Sequence, residues 1–144
     1  IIIKKIFSNE VTDIEKSSIN VQHNQIEIIS DEDLLKNYTE DKFIEKSLMT
    51  SPPFFFSINA DSEIGILVEQ DTLKPYTKFL YPGSEVNLEG FISSAKLIFT
   101  NTNKIKARLN GEDLSLIENY PHPLKVHIYS SPPSISVQLF TPLN

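Results

Sequence analysis

The sequence has no cysteine, no tryptophan, four glycines and one methionine among 144 residues. Without cysteine there is no disulfide framework and no thiolate metal site. So few glycines leave little material for a phosphate loop built from backbone amides. No apolar run approaches the ~20 residues that cross a bilayer as a helix. Basic residues are also scarce, with 13 Lys and Arg against 19 Asp and Glu, a net charge of −6. A nucleic-acid surface needs clustered Lys and Arg, and here the lysines are interspersed with acids, so no nucleic acid is expected as a partner.

What is present suffices for one core. At 40% hydrophobic, the chain reads as one β domain over residues 51–144. Residues 1–50 form a strand and helix segment that packs on it or leads into it. Ile1-Ile2-Ile3-Lys4-Lys5 carries no initiator methionine, which suggests a fragment or a processed form. Its apolar start reads as a first strand or as the end of a membrane helix. Ile19, Val21, Ile26 and Ile28 alternate with one slip of phase, predicting a bulged strand. Ser30, with Asp33 three residues on, is a helix N-cap, and Asp31 and Glu32 suit the positive end of the helix dipole. Leu34, Leu35, Tyr38, Phe43, Ile44 and Leu48 recur at helical spacing. They predict one helix, or two short ones meeting near Thr39, ending by Thr50 because Pro52-Pro53 cannot continue it.

From there the pattern is β. Strands are expected at Phe54 to Ile58, Ile64 to Val68, Tyr76 to Tyr81, Ser84 onward, Ala95 to Phe99 and Ile105 to Leu109. Leu114 and Leu116 carry a return strand, and two further strands hold Leu124, Val126, Ile128 and Ile135, Val137, Leu139. Pro82-Gly83 marks a turn, and Asn110-Gly111 is the favoured pair for a two-residue hairpin with positive φ. The predicted class is mainly β, α+β overall: an antiparallel sandwich or open barrel preceded by one or two N-terminal helices. Ile64, Ile66, Val68, Leu97, Phe99, Leu109, Leu114 and Leu116 are the expected core.

Catalytic chemistry is hard to assemble from these residues. There is no Gly-x-Ser-x-Gly elbow and no thiol. His122 and His127, with Glu118 near, resemble a metal set only loosely, because His127 shares the polar strand face of Lys125 and Tyr129. His23 lies far off in sequence. Asp31-Glu32-Asp33 is explained by helix capping. Neither enzymatic activity nor a cofactor is expected. Phe54-Phe55-Phe56 is more informative, because in a strand Phe55 faces opposite to its neighbours. Either the helix covers that second face, or a partner does.

The stretch from Phe54 to Leu116 resembles the extracytoplasmic C-terminal domain of RodZ-type bacterial cell-shape proteins. Ser62, Ile64 and Val68 match a strand of S-W-x-x-V type, with isoleucine where tryptophan is common. Leu80, Gly83 and Gly90 match the following turn. Leu97, Phe99, Asn101, Ala107, Asn110-Gly111 and Leu114 match a strand, turn and Asn-Gly hairpin, with Thr100-Asn101-Thr102 replacing the usual G-N-A.

The resemblance implies a non-enzymatic domain on the periplasmic side of the bacterial inner membrane. It would be tethered through a segment before residue 1 and would bind another envelope protein in cell-shape or cell-wall growth, with the wall itself as a further contact. Phe55, Tyr76 and Phe79 are the candidate partner contacts, and Pro82, Gly83, Asn110 and Gly111 the turns that frame them. A peptidoglycan- or carbohydrate-binding module is the rival reading, weakened by the absence of tryptophan.

Overall fold

A computed structural model describes residues 26–71 and 73–143. The fold is mainly β, built from two antiparallel sheets with one short helix before the strands, and it does not close into a barrel. In chain order the elements are α1 (Asp31–Asn37), β1 (Tyr38–Ser47), β2 (Phe56–Ala60), β3 (Ile64–Gln70), β4 (Tyr76–Leu80) and β5 (Ser84–Asn87). They continue with β6 (Ser94–Phe99), β7 (Ile105–Leu109), β8 (Glu112–Asp113), a 3₁₀ turn (Ser115–Ile117), β9 (Leu124–Ser130) and β10 (Pro133–Pro142). The large sheet runs β1-β10-β9-β6-β3-β4 and the small one β5-β2-β7-β8.

The period-2 alternation of the sequence is what packs the two sheets together. Phe56 and Ile58 of β2 and Ala107 and Leu109 of β7 meet Ile64, Ile66, Val68, Leu97, Phe99, Val126 and Val137 of the large sheet in one buried cluster. Of the expected core, Leu116 is half-buried and packs against that cluster, and the others are buried. Residues lying between these on β3 and β6 face outward. There Leu67 and Ile98 join Phe140, and the segment carrying Ile29 and Leu34 lies over them. Gly65 makes this approach possible, since a Cβ at that position would run into the Glu27 carbonyl and lie 3.1 Å from Ile28 Cδ1.

Charge fixes the helix in the same place. Asp31 lies 2.6 Å from Lys96 Nζ and 2.5 Å from Lys125 Nζ, and Lys96 also reaches Glu69 at 3.4 Å. Burial alone would push the Asp31 carboxyl up, but Lys125 and Lys96 together hold it below its usual value. Ser30 and Asp33 close a capping box at the helix start.

Three sequence expectations are overturned. The helical spacing through Tyr38 to Leu48 does not make a second helix. α1 ends at Asn37, and the next ten residues form β1, paired along β10 with a bulge at Leu139/Phe140. Leu114 and Leu116 do not carry a long return strand, because β8 is two residues long and a 3₁₀ turn follows. Residues 26–30, including Ile26 and Ile28, are an irregular connector rather than a strand. The expectations at Ile1–Ile3, Ile19, Val21 and His23 lie outside the described residues. No helix among the described residues is long and apolar enough to cross a membrane.

Candidate functional site

The site is built by a hairpin whose two strands belong to different sheets. β4 ends at Leu80 and β5 begins at Ser84, joined by a tight turn in which Ser84 N–H donates to Tyr81 O at 2.8 Å. Gly83 has φ +88° there, the left-handed geometry that a Pro-Gly turn of type II requires. Among the described residues, β4 pairs only with β3, and β5 only with β2. The two strands therefore separate as they leave the turn. Where they have parted lies an open cleft of about 410 Å³ lined by Phe55, Tyr76, Lys78, Asn87, Leu88, Glu89 and Gly90.

Phe55 and Tyr76 meet in this cleft, while Phe79 does not. Phe54 and Phe56 are buried and Phe55 is 57% exposed, with its ring lying against Gly90, where a Cβ would come 2.6 Å from Cε1. α1 packs instead with Ile98 and Phe140 on the outside of the large sheet, so the helix does not cover Phe55. Phe54 itself forms a single bridge to Phe91, and the two rings pack tilted at 45° with centroids 5.3 Å apart, ahead of the strand proper. On β4, Tyr76, Lys78 and the buried Leu80 share one face. Phe79 occupies the opposite face and is 42% exposed.

A buried glutamine ties two of the lining residues together. Buried Gln70 donates through Nε2 to Glu89 O at 2.6 Å and accepts from the Tyr76 hydroxyl. Burial, followed by the nearby Glu89 charge, pushes the Tyr76 phenol above its usual value, so it stays a neutral hydrogen-bond donor. Lys78 Nζ hangs 5.8 Å from the Tyr76 ring centroid. The cleft thus presents two aromatic rings, one cation and one carboxylate.

Its rim is held by two side chains that sequence reasoning did not single out for this purpose. Asn110, at φ +51° in the hairpin turn, accepts the Phe55 N–H at 2.8 Å. Its Nδ2 lies 2.7 Å from Thr50 Oγ1 and 3.1 Å from Pro53 O. Asp71, at φ +44°, accepts the amides of Ile92 and Ser93, each at 2.8 Å, and of Ser94 at 3.2 Å. Burial opposes ionisation of Asp71, but these three amides hold its carboxyl below the usual value. An Asp at a strand end followed by Thr-Leu-Lys-Pro was a turn signal visible in the sequence.

The loose metal set is not assembled. Glu118 accepts the Ala107 amide at 2.9 Å, His122 packs edge-on to Tyr120, and His127 stacks on Tyr129 at 4.4 Å. Among the described residues, no three of His, Cys, Asp and Glu come together to hold a metal. The chain matches no known protein family, no curated protein and no solved structure.

Proposed function

We propose that this chain is a non-enzymatic protein-binding domain of RodZ type, tethered on the periplasmic side of the bacterial inner membrane. It docks another envelope protein in support of cell shape or wall growth. The observation that carries the binding role is the exposed Phe55 ring beside Tyr76 in the cleft between the two sheets. Aromatic rings held on a rigid frame lose little entropy on binding and gain most when desolvated at the centre of an interface. The frame here is rigid for identifiable reasons, since Asn110 fixes the Phe55 backbone and Gln70 fixes the Tyr76 hydroxyl. The placement in the envelope rests on the motif resemblance of residues 54–116.

The test is capture from a bacterial envelope fraction beside binding to purified cell-wall sacculi. Recovery of a protein partner that is lost with Phe55→Ala and Tyr76→Ala supports the reading. Retention on sacculi with no protein partner favours the carbohydrate-binding rival and overturns it.

A further inference from the structure

Phe55 and Tyr76 face the cleft, and Phe79 faces away from it across the same strand. A ligand that meets all three must straddle β4, and an added β-strand does so, because its side chains alternate between the two faces. Among the described residues nothing pairs with the outer edge of β4, which leaves its backbone open to one. Thr100 N–H donates to Gly65 O and Asp71 N–H to Ser94 O, both at 3.0 Å, so odd-numbered residues of β3 bond to β6. Even-numbered residues of β3 then bond to β4 through Tyr76, Lys78 and Leu80. The N–H and C=O groups of Thr77 and Phe79 are left pointing outward, away from β3. On β5 the same logic, from Leu88 N–H donating to Phe56 O at 3.0 Å, leaves the backbone groups of Glu85 and Asn87 unpaired among the described residues.

The two edges of the large sheet differ in how they are guarded. β1 carries Glu40, Asp41, Lys42, Glu45 and Lys46 and a bulge, the devices that blunt an edge against further pairing. β4 carries one charge, Lys78, which makes no ion pair with a described carboxylate. A single cation at the middle of an open edge disfavours basic strands and favours acidic ones.

Resting on the binding role proposed above, we infer that the occupant is an extended segment of another protein that adds to β4 as a strand. The segment carries apolar residues on both faces and places Asp or Glu opposite Lys78, on the face it shares with Tyr76. Its inward side chains cover Phe55 and Tyr76, and its outward ones cover Phe79.

The experiment is selection of a random ten-residue peptide library on the immobilised full chain, followed by amide hydrogen exchange of the chain with the enriched peptides. Proline-poor, acid-bearing peptides with apolar residues on both faces of the strand are expected, with the Thr77 and Phe79 amides gaining protection. Thr77→Pro removes an outward N–H and leaves the β3 ladder intact. It should weaken these peptides by about tenfold or more, as expected for a lost strand hydrogen bond and its neighbours. Lys78→Glu should weaken them similarly, and peptides with Lys in place of the acid should recover binding to that variant. No enrichment, enrichment of proline-rich peptides, or binding indifferent to Thr77→Pro overturns the inference. Protection of the same amides by self-association, read by light scattering without peptide, makes a second copy the occupant and also overturns it. Envelope capture that needs Phe55 but ignores Thr77→Pro defeats strand addition and leaves the binding role standing.

Discussion

The Phe55 amide donates to the Asn110 side-chain oxygen across 2.8 Å, although 55 residues separate the two in sequence. The hairpin turn therefore does more than reverse the chain, because it fixes the segment that presents the exposed aromatic ring. Asn110→Gly separates these roles. Glycine keeps the positive φ of the turn and the backbone bond from residue 110 N–H to Phe55 O, but removes the side-chain contacts to Phe55, Thr50 and Pro53. Chemical denaturation should show a loss of about 1–2 kcal/mol, and Phe55 should exchange its amide hydrogen faster. A variant as stable as the parent contradicts the clasp.

Gly111, φ +82°, tests the turn itself. Valine there is β-branched in a region that L side chains seldom adopt, and nothing within 4 Å would obstruct its Cβ. Backbone conformation alone sets the cost, about 1 kcal/mol or more. An unchanged denaturation midpoint for Gly111→Val contradicts the hairpin geometry.

Gly65→Ala probes the opposite constraint, where φ is ordinary and space is absent. The new methyl collides with the Glu27 backbone, which is not the end of a flexible side chain that can swing away. Displacing the connector should cost about 1–3 kcal/mol, as overpacking does. Hydrogen exchange should rise along residues 29–37 more than in β7. Uniform exchange across the domain contradicts the placement of the connector over β3.

These cases show what the sequence made legible. Strand positions and the buried faces of β3, β6, β7 and β9 follow from alternation, because each strand has one face in the shared core. β1 escaped, since Tyr38, Phe43, Ile44 and Leu48 fall at helical spacing. Its ladder comes from β10, nearly 100 residues away, and only Tyr38 and Ile44 within it are half-buried. An isolated glycine inside the strand Ile64–Val68 was a readable sign of a close backbone approach, but the approaching segment was not identifiable from it. The cleft was least legible. Whether Tyr76 or Phe79 faces Phe55 depends on how β4 and β5 part between two sheets, which no local pattern encodes.

Acid should weaken the domain in two stages. Burial, then Lys96 and Lys125, lowers the His127 pKa against the opposing pull of Asp31 and Glu69. A lowered folded value means stability present above 6.5 and lost as pH falls below it, a shallow first stage. Asp31, Asp33 and Asp71 are all held below 3.8 in the folded state. Their contribution is complete above that value and is lost as pH falls through the folded values, giving a steeper second stage. Asp71→Asn should lower the thermal midpoint at neutral pH and flatten the acid limb. A pH dependence identical to the parent's contradicts the role of the Asp71 carboxylate.

The aromatic triplet gives the sharpest separation of frame from site. Phe54 and Phe56 are 0% and 1% exposed and Phe55 is 57% exposed. Three neighbours of identical chemistry thus occupy opposite environments. Phe54→Ala and Phe56→Ala each open a cavity in the core and should cost about 3–5 kcal/mol. Phe55→Ala removes a ring that is mostly in water, and its denaturation midpoint should stay within about 0.5 kcal/mol of the parent's. Partner capture should invert that order. It should fall at least tenfold for Phe55→Ala, the scale of an interfacial aromatic anchor, and persist in whatever fraction of the Phe56→Ala chain is folded. Undiminished capture by the Phe55→Ala chain would mean that the exposed ring is only surface, and that the partner, if held at all, is held elsewhere on the sandwich.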